Sequence, residues 1–387
     1  MKFLAVHNTY SEITGEDLLT ELLANGLRTS PEFEVVEYIR HSKTFHALPF
    51  WQKILQLVSG NLPGWVPRDF IKILEDERPD MAVIHNTVPL INPWICVALK
   101  RRRIPILFSI YDFRLLCPRG TCVRQENFCD LCFRCSPVWA IVYNCLRNPL
   151  YSVLYAYRHL CNRLFLKYTD AFICSVKYRT EFLRGLFPKN KIYFLVHYMN
   201  IDKALLKKPA SKTDYIFFAG RFVEEKGIRI VLECAQRLPS IRFRVCGEGP
   251  LEGMCRRFIA EHGLQNMELL PWAPRQEIFE HLRGARLFLF PSVYLEFGLI
   301  LCEAMLLKTP AVVAQNAVSR TVIRTGQNGF LFNPKDVTSL VRTIQKIWND
   351  DALLSKVADQ AYSEVSHYNE ADSFIKQIHA ICAEIKK

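Results

Sequence analysis

Short, continuous apolar runs recur along the chain. In the first half they cover Lys2–His7, Met81–His85, Ile104–Ile110, Ala171–Ser175 and Ile192–Val196, with Glu34–Tyr38 reading as a further strand; in the second, Tyr215–Ala219, Phe243–Cys246 and Leu287–Phe290. Runs of this length without polar alternation predict strands buried on both faces of a parallel sheet. Stretches of helical period lie between them, at Leu18–Leu27, Pro93–Arg101, Ile228–Leu238 and Leu299–Leu306. Strands alternating with helices predict an α/β chain of βαβ units. The alternation stops over 203–214, KALLKKPASKTD, which is basic and aperiodic, and restarts at Tyr215. A chain of 387 residues is too long for one ordinary core. The expectation is two similar halves, 1–202 and 215–371, joined by a 203–214 linker with a cleft between them.

Two insertions interrupt the pattern. Ser42 to Phe70 carries Phe45, Phe50, Trp51, Leu55, Val58 and Trp65 among Lys43, Lys53 and Arg68; Trp139 to Tyr168 is rich in tyrosine, with Arg147, Arg158, Arg163 and Lys167. Each reads either as helix packed on the sheet or as a face that lies on a membrane or grips a lipid-linked substrate.

Parallel sheets bind ligands at the carboxyl ends of their strands. In the first half those ends carry Asn8, Gly15, His85, Asn86, Tyr111, Asp112, Arg114 and Ser175. In the second half, the first strand runs into Gly220-Arg221 and then Lys226-Gly227. Two cations at a strand-to-helix turn can clamp a diphosphate and stabilise the charge on one that departs. The next strand ends in Gly247-Glu248-Gly249-Pro250, whose glycines permit close backbone approach. The third ends at Pro291-Ser292 and enters a helix past Gly298, where unpaired N–H groups and the helix dipole offer a seat for phosphate. Glu296 in that loop and Glu303 in the helix suit hydroxyls better than phosphate.

Composition narrows the setting. No segment reaches about 18 uncharged apolar residues, so no transmembrane helix is expected, and the opening MKFLAV is too short for a signal-peptide core. A cytoplasmic protein is expected. Fourteen cysteines, six of them between Cys117 and Cys145, then read as thiols or metal ligands. The net charge of +12 favours phosphates, nucleic acid or anionic lipid.

The second half resembles the retaining glycosyltransferases of family 4, the group 1 transferases. The resemblance rests on AGRFVEEKGIRIVLECA at 219–235, GEGPL at 247–251, PSVYLEFGLILCEAM at 291–305, TPAVVA at 309–314 and TGQNGFLFNPKD at 325–336. The first half is similar to a branch from surface-polysaccharide assembly, through GED at 15–17, PDMAVIHNTVPL at 79–90 and YDFRLLCP at 111–118. The resemblance implies the GT-B fold, two Rossmann-like domains, with a helix over 372–387 that crosses back to the first. It implies that Arg221 and Lys226 hold the diphosphate of a sugar nucleotide and that Glu303 binds the ribose. It further implies that the Phe297-Gly298-Leu299 backbone meets phosphate or sugar, that Gly220 and the Gly247, Gly249 and Pro250 loop border the donor, and that Gly15 sits near the diphosphate, where a side chain would collide. Catalysis would need no metal. Asn8, His85, Asn86, Asp112 and Arg114 fall on the acceptor side, which would take a glycan or lipid-linked acceptor, with peripheral contact at the inner face of a membrane.

Two departures stand out. The family carries its first glutamate where this chain has Leu295, leaving Glu296 displaced by one, and commonly carries His where this chain has Tyr111. A phenol donates a hydrogen bond but cannot act as an imidazole near neutral pH. Other readings are therefore a nucleotide-sugar-binding protein with impaired catalysis and a sugar-nucleotide epimerase of the same fold. A nucleic-acid binder has only charge and cysteine spacing behind it, and no nucleic acid is expected as partner. The spacing of the cysteines suits a structural zinc site; the resemblance favours Cys117, Cys129, Cys132 and Cys145.

Overall fold

The computed structural model describes every residue except 11–13, 60–61, 121, 125–126, 188–190, 208–212, 294–297, 317 and 386–387. The chain divides into two compact units, one of Met1–Tyr198 with Ala371–Lys387 and the other of Met199–Glu370.

Six parallel strands form the first sheet, in the spatial order Glu34–His41, Lys2–Thr9, Met81–Ile84, Ile106–Ser109, Ala171–Cys174, Lys191–Phe194. The two strands with most neighbours on both sides, Met81–Ile84 and Ile106–Ser109, are buried at every position, which is why they read as unbroken apolar runs. Helix Gly15–Arg28 starts earlier than its apolar period suggests. Thr14 caps it in a capping box with Asp17, and that cap is polar and leaves no mark on the hydrophobic pattern. Helix Ala371–Ile385 buries Phe374, Ile378, Ile381 and Cys382, one stripe at helical spacing, against a cluster that includes Phe3, Leu23 and Leu27.

The second sheet also has six parallel strands, ordered Met267–Leu270, Arg242–Cys246, Thr213–Ala219, Ala285–Phe290, Ala311–Ala314, Phe330–Phe332. Counted along the chain this is 3-2-1-4-5-6, the doubly wound order, whose direction of winding reverses beside Thr213–Ala219. Helix Ile228–Arg237 buries Ile228, Val231, Leu232 and Ala235 against this sheet.

The stretch expected to be an aperiodic linker is partly built structure. Lys203–Lys207 is helical with Leu205 buried, and the following strand already begins at Thr213. One buried leucine is enough to seat so short a helix, and one leucine gives no period to read.

Candidate functional site

In the second unit, the carboxyl ends of three adjacent strands bring the motifs to one edge. Arg221, exposed, follows Thr213–Ala219; Glu224–Lys226 forms a single 3-10 turn; and Gly227 then takes φ +73° to open the helix. A Cβ at Gly227 would lie 2.4 Å from the Pro291 carbonyl oxygen, so the position admits only glycine on two counts. The neighbouring loop packs on this turn through the backbone. The Phe222 N–H donates to the Glu248 carbonyl at 2.8 Å, the Leu251 N–H donates to the Phe222 carbonyl at 3.0 Å, and a Cβ on Gly247 would lie 2.0 Å from the Gly220 carbonyl oxygen. Gly249 is similarly close to the Phe222 backbone, and Pro250 follows it into the turn before helix Glu252–Glu261. The third strand end joins on the other side, where the Val293 N–H donates to the Glu225 carbonyl at 3.1 Å. Gly298 caps helix Leu299–Leu306 in an extended conformation, with Leu299 as the first helical residue. Backbone loops, two cations and a helix N-terminus therefore share one edge, a combination suited to a phosphorylated ligand.

Glu303 lies in that helix, 4% exposed, and its Oε1 accepts from Arg275 Nε at 2.8 Å. Burial pushes the carboxyl up, and the Arg275 guanidinium opposes this. Arg275 also donates to the Met199 carbonyl at 3.0 Å. This arginine is absent from the sequence-based site, since 28 residues separate the pair and no motif links them. Glu296 and Phe297 lie outside the described residues.

The first unit's edge is made of side chains. Tyr111 Oη stands 3.1 Å from His85 Nδ1 and 3.0 Å from His197 Nε2, and His197 Nδ1 is 3.1 Å from Ser175 Oγ. The rings of His85 and Tyr111 stack with centroids 5.7 Å apart. Burial holds both imidazoles low, His197 at about 3, and pushes the Tyr111 phenol up. All three are neutral near pH 7. Two proton orders serve the whole chain, one running from Ser175 through His197 and Tyr111 to His85 and one running in reverse. His85 Nε2 at the end of the relay is buried and has no partner among the described residues.

Beside it, Tyr10 Oη donates to Glu16 Oε2 at 2.5 Å, and the Arg114 guanidinium meets Tyr10, Asp112 Oδ2 at 3.0 Å and Glu16 Oε2 at 3.6 Å. Burial first, and the Asp112 charge second, raise the Glu16 carboxyl to about 7, against the pull of Arg114. Glu16, His85, Asn86, Tyr111, Asp112 and Arg114 line one small cavity. Glu16, Tyr10 and His197 were not singled out from the sequence; the GED motif contained Glu16 but drew attention to its glycine. A Cβ at Gly15 would meet nothing within 4 Å, so within the protein its side chain is not excluded, and any collision would have to come from a ligand.

Asn8 and Asn86, the latter also lining the cavity, hold backbone. The Asn8 amide donates to the Val88 carbonyl and Ser42 Oγ, each at 2.7 Å, and the Asn86 amide donates to the Asn8 carbonyl at 2.8 Å. They tie two strand ends together where the first sheet's order reverses. His7 Nε2, 2.8 Å from Asp17 Oδ1, is likewise occupied.

Among the described residues no three His, Cys, Asp or Glu side chains form a group able to hold a metal, while Cys117, Cys129, Cys132 and Cys145 lie close enough for charge on one thiol to raise another. A hydrogen bond from Cys122 instead lowers the Cys117 thiol to about 6, while burial raises Cys132 to about 12.

Residues 202–364 match the family model described as glycosyl transferases group 1. The match spans nearly all of the second unit. The lipopolysaccharide core biosynthesis glycosyltransferase LpsE of Rhizobium meliloti is 23% identical over 205 residues, 51% of this chain and 59% of that protein. The putative colanic acid biosynthesis glycosyltransferase WcaL of Escherichia coli is 27% identical over 197 residues, 46% of this chain and 48% of that protein. The chain thus spans about half the length of such relatives. The structure of Anabaena HepE in complex with UDP and glucose superposes with a TM-score of 0.68 over 99% of this chain and 100% of that one, at 15% identity. At that identity the likeness establishes the fold, GT-B, to which both sheets conform.

Proposed function

We propose that the chain transfers a sugar from a nucleotide-diphosphate sugar to a hydroxyl of a glycan or lipid-linked acceptor in polysaccharide assembly, with retention of configuration and without a catalytic metal. The observation that carries this reading is the second unit's edge, where Arg221 and Lys226, the Gly247–Pro250 loop and the helix N-terminus at Gly298 adjoin one another inside the matched family segment. Two cations and a helix dipole supply the charge stabilisation that a leaving diphosphate requires. HepE was solved with UDP-glucose and the matched relatives act in surface-glycan synthesis by name, which supports a sugar-nucleotide donor and a glycan acceptor. Glu303 is the candidate for the ribose hydroxyls, with Arg275 positioning it. On the acceptor side Glu16, its carboxyl near 7, and His85, whose Nε2 is unpartnered among the described residues, are among the polar groups that line the cavity. The enzyme would work in the cytoplasm at the inner membrane face.

A thermal-shift screen against UDP-, GDP- and ADP-sugars tests the donor, with Arg221→Ala/Lys226→Ala as control. One donor should raise the melting temperature of the natural protein and not of the control. NMR of the product then reads the anomeric configuration. A second reading, donor binding without turnover, is favoured by Tyr111, whose phenol is held protonated between two neutral rings. Donor binding with no transfer or hydrolysis would select it.

A further inference from the structure

The described chain exposes sixteen large hydrophobic side chains, and fourteen of them fall in two stretches of the first unit, 50–65 and 138–160. Helix Phe50–Ser59 turns Trp51, Leu55 and Val58 outward, a spacing of four and three that marks one helical face, and Trp51 is 62% exposed. Helix Pro149–Tyr168 is built the opposite way to a helix of a water-soluble surface. Its outward stripe is Leu150, Val153, Tyr157 and Leu160; its inward side holds Ser152, Ala156, Arg158, His159 and Asn162, with Phe165 the large apolar side chain buried in its last turns. The inversion has a local cause. Buried Arg158 donates to the carbonyls of Thr87 at 3.0 Å and Ile91 at 2.6 Å, so the polar side of the helix is fixed on the loop after Met81–Ile84 and the apolar side must face out.

The two stretches adjoin. The Phe50 and Tyr151 rings meet edge to face at 6.4 Å, and the helix Val138–Val142, which packs on Pro149–Tyr168, adds exposed Val142 at 61% and the stacked pair Trp139 and Tyr143. A contiguous apolar patch of this kind marks a binding face.

We propose that this face inserts shallowly into an anionic lipid bilayer. Charge selects that occupant. Residues 42–68 and 131–169 contain no Asp or Glu, while Lys43, Arg68, Arg147, Arg163 and Lys167 are all exposed. Apolar residues between cations, with Trp and Tyr among them, suit a headgroup region. No helix of the described residues is long and apolar enough to cross a membrane, so the contact is one of lying on the surface. The inference deepens the proposed function, since it rests on that reading for why a lipid-linked acceptor would be met here; the binding itself does not depend on it.

The test is co-sedimentation of the full chain with vesicles of phosphatidylcholine alone or with about 30% phosphatidylglycerol. The variant Leu55→Glu/Val153→Glu changes only exposed positions outside the donor and acceptor sites, and circular dichroism checks its fold. Strong binding to the anionic vesicles, at least about tenfold weaker to neutral ones and about tenfold weaker in the variant, is the expected result. Quenching of tryptophan by brominated lipid in the natural protein, reduced in Trp51→Ser, would place the face inside the headgroups. Binding that the variant leaves unchanged would overturn the proposal, as would a dimer dissolved by the variant in a protein that ignores vesicles. Donor thermal shifts run in parallel keep the two readings apart: lost vesicle binding with an intact donor shift condemns the face in the variant alone, and an absent donor shift in the natural protein condemns the transferase reading alone.

Discussion

The two units repeat one architecture, six parallel strands with the chemistry at their carboxyl ends, yet they build those ends from different material. The second unit uses backbone: glycines that let loops touch, an N-terminal helix turn, and two cations beside it. The first uses buried side chains: the relay Ser175–His197–Tyr111–His85 and the cluster Tyr10–Glu16–Arg114–Asp112. A backbone site holds an invariant charged group such as a diphosphate in a geometry set by the fold. A side-chain site can be retuned one residue at a time, which fits the half proposed to meet the acceptor.

The contrast breaks most visibly if the cations are removed. Arg221→Ala/Lys226→Ala should lower transfer by about 100-fold or more while leaving the melting temperature of the unliganded protein nearly unchanged. Transfer kinetics and calorimetric unfolding check the two halves of that statement.

Glycine substitutions come next. Gly247→Ala puts a Cβ 2.0 Å from the Gly220 carbonyl and should destabilise the second unit by about 1–3 kcal/mol, measured by urea unfolding. Gly15→Ala, with open space around it, should change stability by less than about 0.5 kcal/mol. If it also impairs donor binding, a ligand must occupy that space. Tyr111→Phe should cost a similar amount to the first, about 1–3 kcal/mol, because two buried ring nitrogens lose their partner. Rescue by Tyr111→His would show that hydrogen bonding rather than the phenol is what the position needs.

These contrasts also show what could be read from residues alone. All six strands of the first sheet and three of the second were legible, most of them because a strand buried on both faces leaves a nearly unbroken apolar run. The second unit's edge was legible for a related reason: a close backbone approach demands glycine at a fixed place, so Gly247, Gly249 and Gly227 announce it locally. The first unit's relay was not. Tyr111 and His197 are 86 residues apart, and Arg114 and Tyr10 are 104 apart; only the topology joins them. The inverted helix Pro149–Tyr168 hid for the opposite reason, since its pattern is amphipathic and the sequence does not say which face turns inward.

The smallest effect concerns pH. The Glu16 carboxyl, raised to about 7, binds its proton more tightly in the folded protein than in the unfolded chain, where its value is near 4.5. Its contribution to stability is therefore full below pH 4.5 and declines as pH rises from there to about 7. The buried neutral rings act in the other sense: their contribution is full above pH 6.5 and falls away below it, down to about 3 for His197. Glu16→Gln should remove the first slope and keep the second, seen in melting temperatures between pH 4.5 and 8. An unchanged profile would place Glu16 in a wetter setting than its contacts with Tyr10 and Arg114 describe.

The central claim is that the second unit's edge seats a nucleotide diphosphate. Isothermal titration calorimetry of the full chain with UDP-, GDP- and ADP-sugars measures it directly, set beside Arg221→Ala/Lys226→Ala. Saturable binding of one donor, weakened about 100-fold or more in the folded double variant, is the expected result. Equal affinity in the natural protein and the variant, or no binding of any of these donors, would contradict the claim.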